Sequence, residues 1–289
     1  MIHRLAWCDG AVRPIEDVLI SGLDRTVLYG LGAFETVRLH GGRPFLFDRH
    51  LQRLQRSLVA VALPVPTAVA GLAAGVVELA ARLDAPEALC RVTVTGGAGP
   101  DAAGIAGTGQ HVMAQLRPVP SESRRPVAVG LAPFAHDSRS PLTGVKTTSY
   151  LVHYLQREQA EASGRLDDLM VDLDGHVTEG TVSNAFAVRD GRLVTPPVSV
   201  GILAGITRGV VLELAAELRL RVEERPLPVA ELARVDEFFL TGAGKCLVAA
   251  DVLDGRILPA ARPVTTALRE ALIRRIATAC GVSPASIRF

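Results

Sequence analysis

The chain opens with apolar and polar positions in alternation. Residues LAWCDGAVRP (5–14) predict a hairpin about Asp9-Gly10, a dipeptide that tolerates the positive φ angles of a tight turn. GAFETVRLHGGRPFLF (32–47) predicts a second hairpin, with Phe34, Val37 and Leu39 ahead of the turn Gly41-Gly42 and Phe45 to Phe47 after it. The period then lengthens to that of a helix. Asp48 is expected to cap a helix through DRHLQRLQRSLVAVA, with Leu51, Leu54 and Leu58 on one face. A second helix is expected from Thr67 to Leu83, and CRVTVTG and HVMAQLRPV read as strands around a Gly-rich loop at 96–109.

Pro118, Pro120 and Pro126, with Ser and Arg between them, make the best linker in the chain. They predict an N-terminal domain over 1–118, a linker over 119–127 and a C-terminal domain over 128–289. In the second part VAVGLAPF reads as a strand, Ser149 to Ser163 as a helix stopped by Gly164, and DDLMVDLDGHVTEG as a strand and turn. SNAFAVRDGRLVTPP predicts a hairpin about Asp190-Gly191, and Gly205 opens a helix to Leu220 with Val210, Val211, Leu214 and Leu218 on one side. VDEFFLTGAG predicts a strand and turn, and residues 262–280 a closing helix. This mixture is that of an α/β protein without internal repeats.

A length of 289 residues suits two domains, and a net charge of +1 with evenly mixed signs gives no footprint for nucleic acid or an anionic membrane. A small anionic ligand in a local pocket stays compatible with it. The uncharged run at 58–77 is long enough to raise the question of a membrane span, but Pro64 and Pro66 break it, so a helix end, a turn and a second helix are expected. Cys8, Cys90, Cys246 and Cys280 form no CxxC pair and stand at no metal-ligand spacing from a histidine, so reduced thiols and no metal are expected. The N-terminal MIHRLAWCDGAVRP has no long apolar stretch, and a cytoplasmic protein is expected.

The candidate chemistry lies between residues 144 and 208. Lys146 stands in GVKTTSY, and the chain has only one other lysine, Lys245, against 29 arginines. Glu179 stands in the turn VTEGT, beside Ser183 and Asn184, and Gly205-Ile206-Thr207 opens a helix. An aldehyde cofactor needs an amine, a pyridine ring needs a carboxylate to keep its nitrogen protonated, and a phosphate suits the free N–H groups of a helix start. Each residue alone is ordinary in its place, but their order points to pyridoxal 5'-phosphate (PLP). Thr241, Gly242 and Ala243 offer further donors after a strand, and Arg53 a charged clamp. GAGK at 242–245 is no Walker A loop, because Phe239 stands where its first glycine belongs and Cys246 where its Ser/Thr does.

Taken in order, DRTVLYGLGAFETVR, DRHLQRL, GVKTTSY, VTEGTVSNAF, TPPVSVGILAGITR and EFFLTGAG resemble the successive blocks of the class IV, fold type IV, PLP-dependent enzymes, over roughly residues 5–250. That family includes branched-chain and D-amino-acid aminotransferases and 4-amino-4-deoxychorismate lyases. The resemblance implies a two-domain α/β fold, with a smaller N-terminal domain and a larger C-terminal pseudo-barrel domain that binds PLP. It implies that Lys146 forms the internal aldimine and shuttles the substrate proton, and that Glu179 pairs with the pyridine nitrogen. Arg53, Ile206, Thr207 and Thr241 to Ala243 would hold the phosphate. It further implies a homodimer with active sites between the domains and near the partner subunit.

Some positions depart from the family's blocks. Gly96 stands where D-amino-acid aminotransferases carry a carboxylate-gripping arginine, and Phe34-Glu35-Thr36 is closer to the lyases than to the branched-chain enzymes. Tyr150 follows Lys146 by four residues where the lyases have five, and Ala243 replaces a phosphate-binding threonine. Thr36, Arg38, Arg91 and Arg139 are the substrate-side candidates, since arginine can grip a carboxylate bidentately. The leading expectation is amino transfer between an amino acid and a 2-oxo acid. The alternatives are elimination of pyruvate from aminodeoxychorismate and binding of a phosphorylated ligand without turnover.

Overall fold

A computed structural model of the chain describes residues 4–99, 109–120 and 126–288. Much of the expected linker at 119–127 and of the Gly-rich loop at 96–109 lies outside these residues. The chain forms two compact units, one comprising Met1–Val119, Val145–Tyr150 and Ile276–Ser283, the other Pro120–Gly144, Leu151–Arg275 and Pro284–Phe289. The short segment carrying Lys146 therefore folds with the first unit, although it lies among residues expected to form the second.

The first unit is built on one antiparallel sheet. Its strands are β1 (Leu5–Cys8), β2 (Ala11–Pro14), β3 (Gly32–His40), β4 (Arg43–Pro44), β5 (Ala88–Thr95) and β6 (Val112–Arg117), in the order β2-β1-β6-β5-β3-β4. Asp9 and Gly10 both adopt positive φ, as the predicted turn between β1 and β2 requires. Three helices accompany the sheet: α1 (Arg25–Tyr29), α2 (Phe47–Ala60) and α3 (Leu72–Arg82). The core joins Leu54 and Leu58 of α2 and Leu72, Val76 and Leu79 of α3 to Val37, Leu39, Val92 and Leu116 of the sheet. The uncharged run at 58–77 divides into helix, turn and helix, and no helix among the described residues is long and apolar enough to cross a membrane.

The predicted start of α2 is off by a residue or two. Leu46, in a left-handed conformation, precedes the helix, so Asp48 lies within the first turn rather than capping it. There its carboxylate still faces the positive end of the helix. Leu51 is only partly buried, while Leu54 and Leu58 are fully so.

Alternation along β3 sends Ala33, Glu35, Val37 and Leu39 to the helix-covered face and Phe34, Thr36, Arg38 and His40 to the other. Glu35 is therefore an acid placed among core residues, only 1% exposed. It remains charged because α2 supplies the partners. Arg53 donates from Nε and Nη2 to its two oxygens at 2.8 and 2.7 Å, and His50 Nδ1 lies 2.7 Å from Oε2. Burial pushes the Glu35 carboxyl up, but the hydrogen bonds from Arg53 and His50 outweigh it and bring its pKa to about 2. Burial pushes the His50 imidazole down against the pull of Glu35, so a neutral ring carries its proton on Nδ1, facing the carboxylate.

The second unit holds two sheets and most of the remaining helices. Its strands are β7 (Ala128–Leu131), β8 (Asp167–Val171), β9 (His176–Gly180), β10 (Asn184–Arg189), β11 (Arg192–Thr195), β12 (Arg221–Glu224), β13 (Leu227–Pro228), β14 (Glu237–Gly242), β15 (Cys246–Ala249), β16 (Val252–Leu253) and β17 (Arg256–Ile257). One sheet runs β12-β11-β10-β14-β15 and the other β13-β9-β8-β7-β16-β17. The helices are α4 (Leu151–Ala162), α5 (Ile206–Glu217) and α6 (Pro263–Cys280), the last ending in residues that count with the first unit. Val210, Val211 and Leu214 of α5 are buried as predicted, but Leu218 follows the helix as its C-cap and is exposed.

Two outcomes test this packing. Gly75 of α3 lies so near Trp7 that a Cβ would stand 2.2 Å from the indole Nε1. Gly75→Ala gains about 1 kcal/mol of helix propensity but meets an overpacking cost of about 1–3 kcal/mol. Denaturant unfolding should show a less stable protein, and a more stable one would refute this contact. Glu35→Gln leaves Arg53 buried against a neutral amide, at a cost of about 3–5 kcal/mol. Because folding lowers the Glu35 pKa, its contribution is complete above the ordinary carboxylate pKa of about 4.3 and fades as pH falls toward the folded value. The stability gap between wild type and Glu35→Gln should therefore narrow across that acid range, and a constant gap would refute the ion pair.

Candidate active site

Lys146 is fixed through its backbone. The N–H of Phe34 donates to the Lys146 carbonyl at 3.0 Å, and the N–H of Thr148 donates to the Gly32 carbonyl at 3.0 Å. Ala33 and Thr147 form an antiparallel bridge between these bonds, so residues 146–148 add a short stretch of chain to the start of β3. On the other side the Lys146 N–H donates to Ser57 Oγ of α2 at 3.3 Å. Ser57 lies one helical turn beyond Arg53, so one helix positions both the lysine's backbone and the arginine.

The lysine amine lies over aromatic rings. Its Nζ is 4.4 Å from the centre of Phe34 and 5.6 Å from that of Tyr150, and the two rings meet edge to face at 5.1 Å. The guanidinium of Arg91 also covers Phe34, at 3.8 Å. Thr36 stands directly opposite Arg91 across β3 and β5. The first unit thus gathers Lys146, Arg91 and Tyr150 about Phe34, with Thr36 beside them.

The three candidate arginines differ in their commitments. Arg38 is buried 3.8 Å from Glu87, which also meets His40. Arg139 stands in an exposed turn 3.6 Å from Asp137. Arg91 has no ion-pair partner among the described residues, and burial, with Arg117 adding to it, lowers its pKa despite Tyr150. Of the three, Arg91 is the one available to an incoming carboxylate. Gly96 leaves no room for a side chain, since a Cβ there would lie 2.6 Å from the Leu31 carbonyl oxygen.

The second unit assembles the remaining candidates about Glu179, buried near the end of β9. Its carboxylate accepts from Asn184 Nδ2 at 3.2 Å, and from the Leu203 N–H at 3.2 Å to each oxygen. Asn184 Nδ2 also donates to the Leu203 carbonyl at 2.9 Å. A Cβ on Gly205 would fall 1.9 Å from Asn184 Oδ1, so only glycine lets the start of α5 come this close. Gly205 caps α5 with no side-chain hydrogen bond, leaving the first-turn N–H groups, including those of Ile206 and Thr207, without carbonyl partners inside the helix. Across the β10–β14 pair Thr241 faces Asn184, and Gly242 and Ala243 follow it. The Thr241 hydroxyl is buried with no hydrogen-bond partner among the described residues.

One expected contributor, Ser183, and one neighbour of the candidates, Arg208, have other duties. Ser183 Oγ donates at 2.6 Å to Asp167, which also accepts from the Thr181 hydroxyl at 2.6 Å, so Ser183 braces the turn after β9. Arg208, one residue beyond the candidate donors, is tied to the Pro196 carbonyl at 2.9 Å and to Glu224 at 2.6 Å, anchoring α5. The other lysine, Lys245, is half-buried near Arg157, Asp167 and Glu161, and burial lowers its pKa. Glu35, His50, Ser57, Phe34 and Asp167 escaped the sequence reading as site residues. His50 and Arg53 stand three apart, one helical turn, after an acid in an apolar strand, a spacing that signals the Glu35 cluster.

The chain is similar to known proteins in sequence and fold. Residues 32–251 match the family described as amino-transferase class IV. A putative branched-chain-amino-acid aminotransferase of Methanocaldococcus jannaschii is 32% identical over 257 residues, covering 87% of this chain and 88% of the relative. The crystal structure of 4-amino-4-deoxychorismate lyase from Pseudomonas aeruginosa superposes with a TM-score of 0.80 at 29% identity, covering 93% of this chain and 98% of that one. The PLP-bound form of a hypothetical aminotransferase from Mycobacterium tuberculosis gives a TM-score of 0.83 at 27% identity, covering 95% and 99%.

The residues present fit such a cofactor. A phosphate ester accepts hydrogen bonds, and the second unit offers it the unpartnered Thr241 hydroxyl and the first-turn N–H groups of α5. A pyridinium nitrogen needs a buried carboxylate held in one orientation, as Glu179 is by Asn184 and Leu203. The fold, the matched residues and this donor set agree: the chain belongs to the class IV aminotransferase family of fold type IV, whose cofactor is PLP.

Proposed function

We propose that the protein moves an amino group between an amino acid and a 2-oxo acid, with branched-chain amino acids as the first donors to examine. Bound PLP supplies an electron sink for the substrate α-carbon. Lys146 provides the amine that holds the cofactor and carries the proton at Nζ. Glu179 keeps the pyridine nitrogen protonated, with Asn184 holding its carboxylate. Arg53, Ile206, Thr207 and Thr241 to Ala243 hold the phosphate, and Arg91 with Thr36 receives a substrate carboxylate. The observation that carries this reading is the backbone pairing that fixes Lys146 to the start of β3 and sets its amine beside the Phe34 and Tyr150 rings. The absence of room for an arginine at Gly96 speaks against the D-amino-acid members of the family.

The second reading is 4-amino-4-deoxychorismate lyase, favoured by the Phe34-Glu35-Thr36 block and by the 29% identity to a solved lyase. We further propose a cytoplasmic homodimer. Exposed Val27, Leu28 and Tyr29 on the first unit, and Leu151, Val152, Tyr154 and Leu155 on the second, give apolar surface for a second subunit to cover.

Incubation with an L-branched-chain amino acid and 2-oxoglutarate should form the branched 2-oxo acid and glutamate. Arg91→Ala should raise the KM for the amino acid by about ten- to a hundredfold, the loss of a charge-assisted hydrogen bond worth roughly 1.5–3 kcal/mol. Pyruvate release from aminodeoxychorismate without amino transfer would instead establish the lyase.

A further inference from the structure

Away from the residues gathered about Phe34, the first unit brings a thiol, a carboxylate and an imidazole together at one end of its sheet. Cys8 ends β1, Asp9 begins the turn that follows, and His111 immediately precedes β6. His111 is 102 residues from Asp9, so no short spacing joins them; the pairing of β1 with β6 does. Asp9 is held firmly. Its N–H donates to the Val112 carbonyl at 3.0 Å, and its Oδ1 accepts from the Val112 N–H at 2.8 Å. The His111 N–H donates to Thr95 Oγ1 at 2.9 Å, which fixes the histidine's backbone as well.

Asp9 Oδ2 faces the other two groups. It lies 2.7 Å from His111 Nδ1 and 3.5 Å from Cys8 Sγ, and one donor atom from each of the three residues falls within 4.8 Å of the others. The outer ring nitrogen, His111 Nε2, is buried with no hydrogen-bond partner among the described residues, so no competing bond fixes the ring in another orientation.

We propose that Cys8 Sγ, Asp9 Oδ2 and His111 Nδ1 form a binding site for one Zn2+ ion, or a divalent transition metal of similar chemistry, with water as the fourth ligand. The donor set mixes sulfur, nitrogen and oxygen, which suits zinc and does not suit calcium or magnesium, ions that take oxygen ligands. Tetrahedral zinc, with bonds of about 2.0–2.3 Å, sets its ligand atoms about 3.3–3.5 Å apart. The sulfur–oxygen separation of 3.5 Å already meets this, and the nitrogen–oxygen separation of 2.7 Å has only to open slightly. On binding, the Cys8 thiol proton leaves to solvent, and the imidazole gives up the Nδ1 proton that faces Asp9 and takes one on Nε2 by exchange with solvent, freeing Nδ1 for the metal. The ion would tie the β1–β2 turn to the start of β6 and stabilise the folded chain.

Cobalt tests the site directly, because a cobalt–thiolate bond absorbs in the near ultraviolet. PLP-loaded protein, stripped with a chelator and desalted, is titrated with Co2+. The expected result is a thiolate-to-cobalt charge-transfer band that saturates at one equivalent per chain and is bleached by Zn2+. Cys8→Ser should abolish the band, and His111→Gln should weaken binding at least about tenfold. The visible cofactor absorption and far-ultraviolet circular dichroism report whether each variant has folded. Absence of the band in the wild type, or its persistence at full strength in folded Cys8→Ser or His111→Gln, overturns the assignment. Should Cys8→Ser fail to fold, the wild-type titration and His111→Gln decide it.

Discussion

The first unit depends on a short piece of backbone pairing. Residues 146–148 hydrogen-bond to the beginning of β3 through Phe34 and Gly32. This contact takes a residue that lies beyond residue 127 in sequence and fixes it to the N-terminal sheet. A side chain on a paired strand has its direction set by the pleat, and a long flexible lysine gains most from such restraint. The consequence is visible in the rings beneath the amine. Phe34 comes from the strand that Lys146 pairs with, and Tyr150 from the residues just beyond the pairing.

A second restraint supports the first from below. Glu35 neighbours Phe34 but points to the opposite face, where it holds Arg53 and His50. An isolated carboxylate in such a place would lose its charge. Here two donors on one helical turn keep it ionised, and with two of its nitrogens committed to Glu35 the Arg53 guanidinium has a fixed orientation. The same helix carries Ser57 to the Lys146 backbone. In the second unit Glu179 is organised on the same plan, with Asn184 and the Leu203 N–H holding a buried carboxylate and a glycine at 205 admitting the helix start.

Most of this fold was legible in the sequence because its signals are local. The Asp9-Gly10 and Asp190-Gly191 turns, the helix after Phe47 and the helix opened by Gly205 each follow from a few adjacent residues. The candidate site residues stand out in the sequence as an order of motifs. What escaped depended on contacts between distant segments. Nothing near Ser183 announces that Asp167 will claim its hydroxyl, and nothing near Arg38 announces Glu87. The same holds for the adoption of the Lys146 segment by the first sheet, which is a pairing across more than a hundred residues. Arg91, Arg38 and Arg139 looked alike in sequence and were separated only by whether a protein carboxylate had already taken them.

We propose that this pairing makes Lys146, of the two lysines in the chain, the one that holds the cofactor. Borohydride reduction of the PLP-loaded protein, followed by peptide mass spectrometry, locates the pyridoxyl group. The label is expected on Lys146, with Lys245 unmodified. A label on Lys245, or a chain that carries no label after reduction, would contradict it.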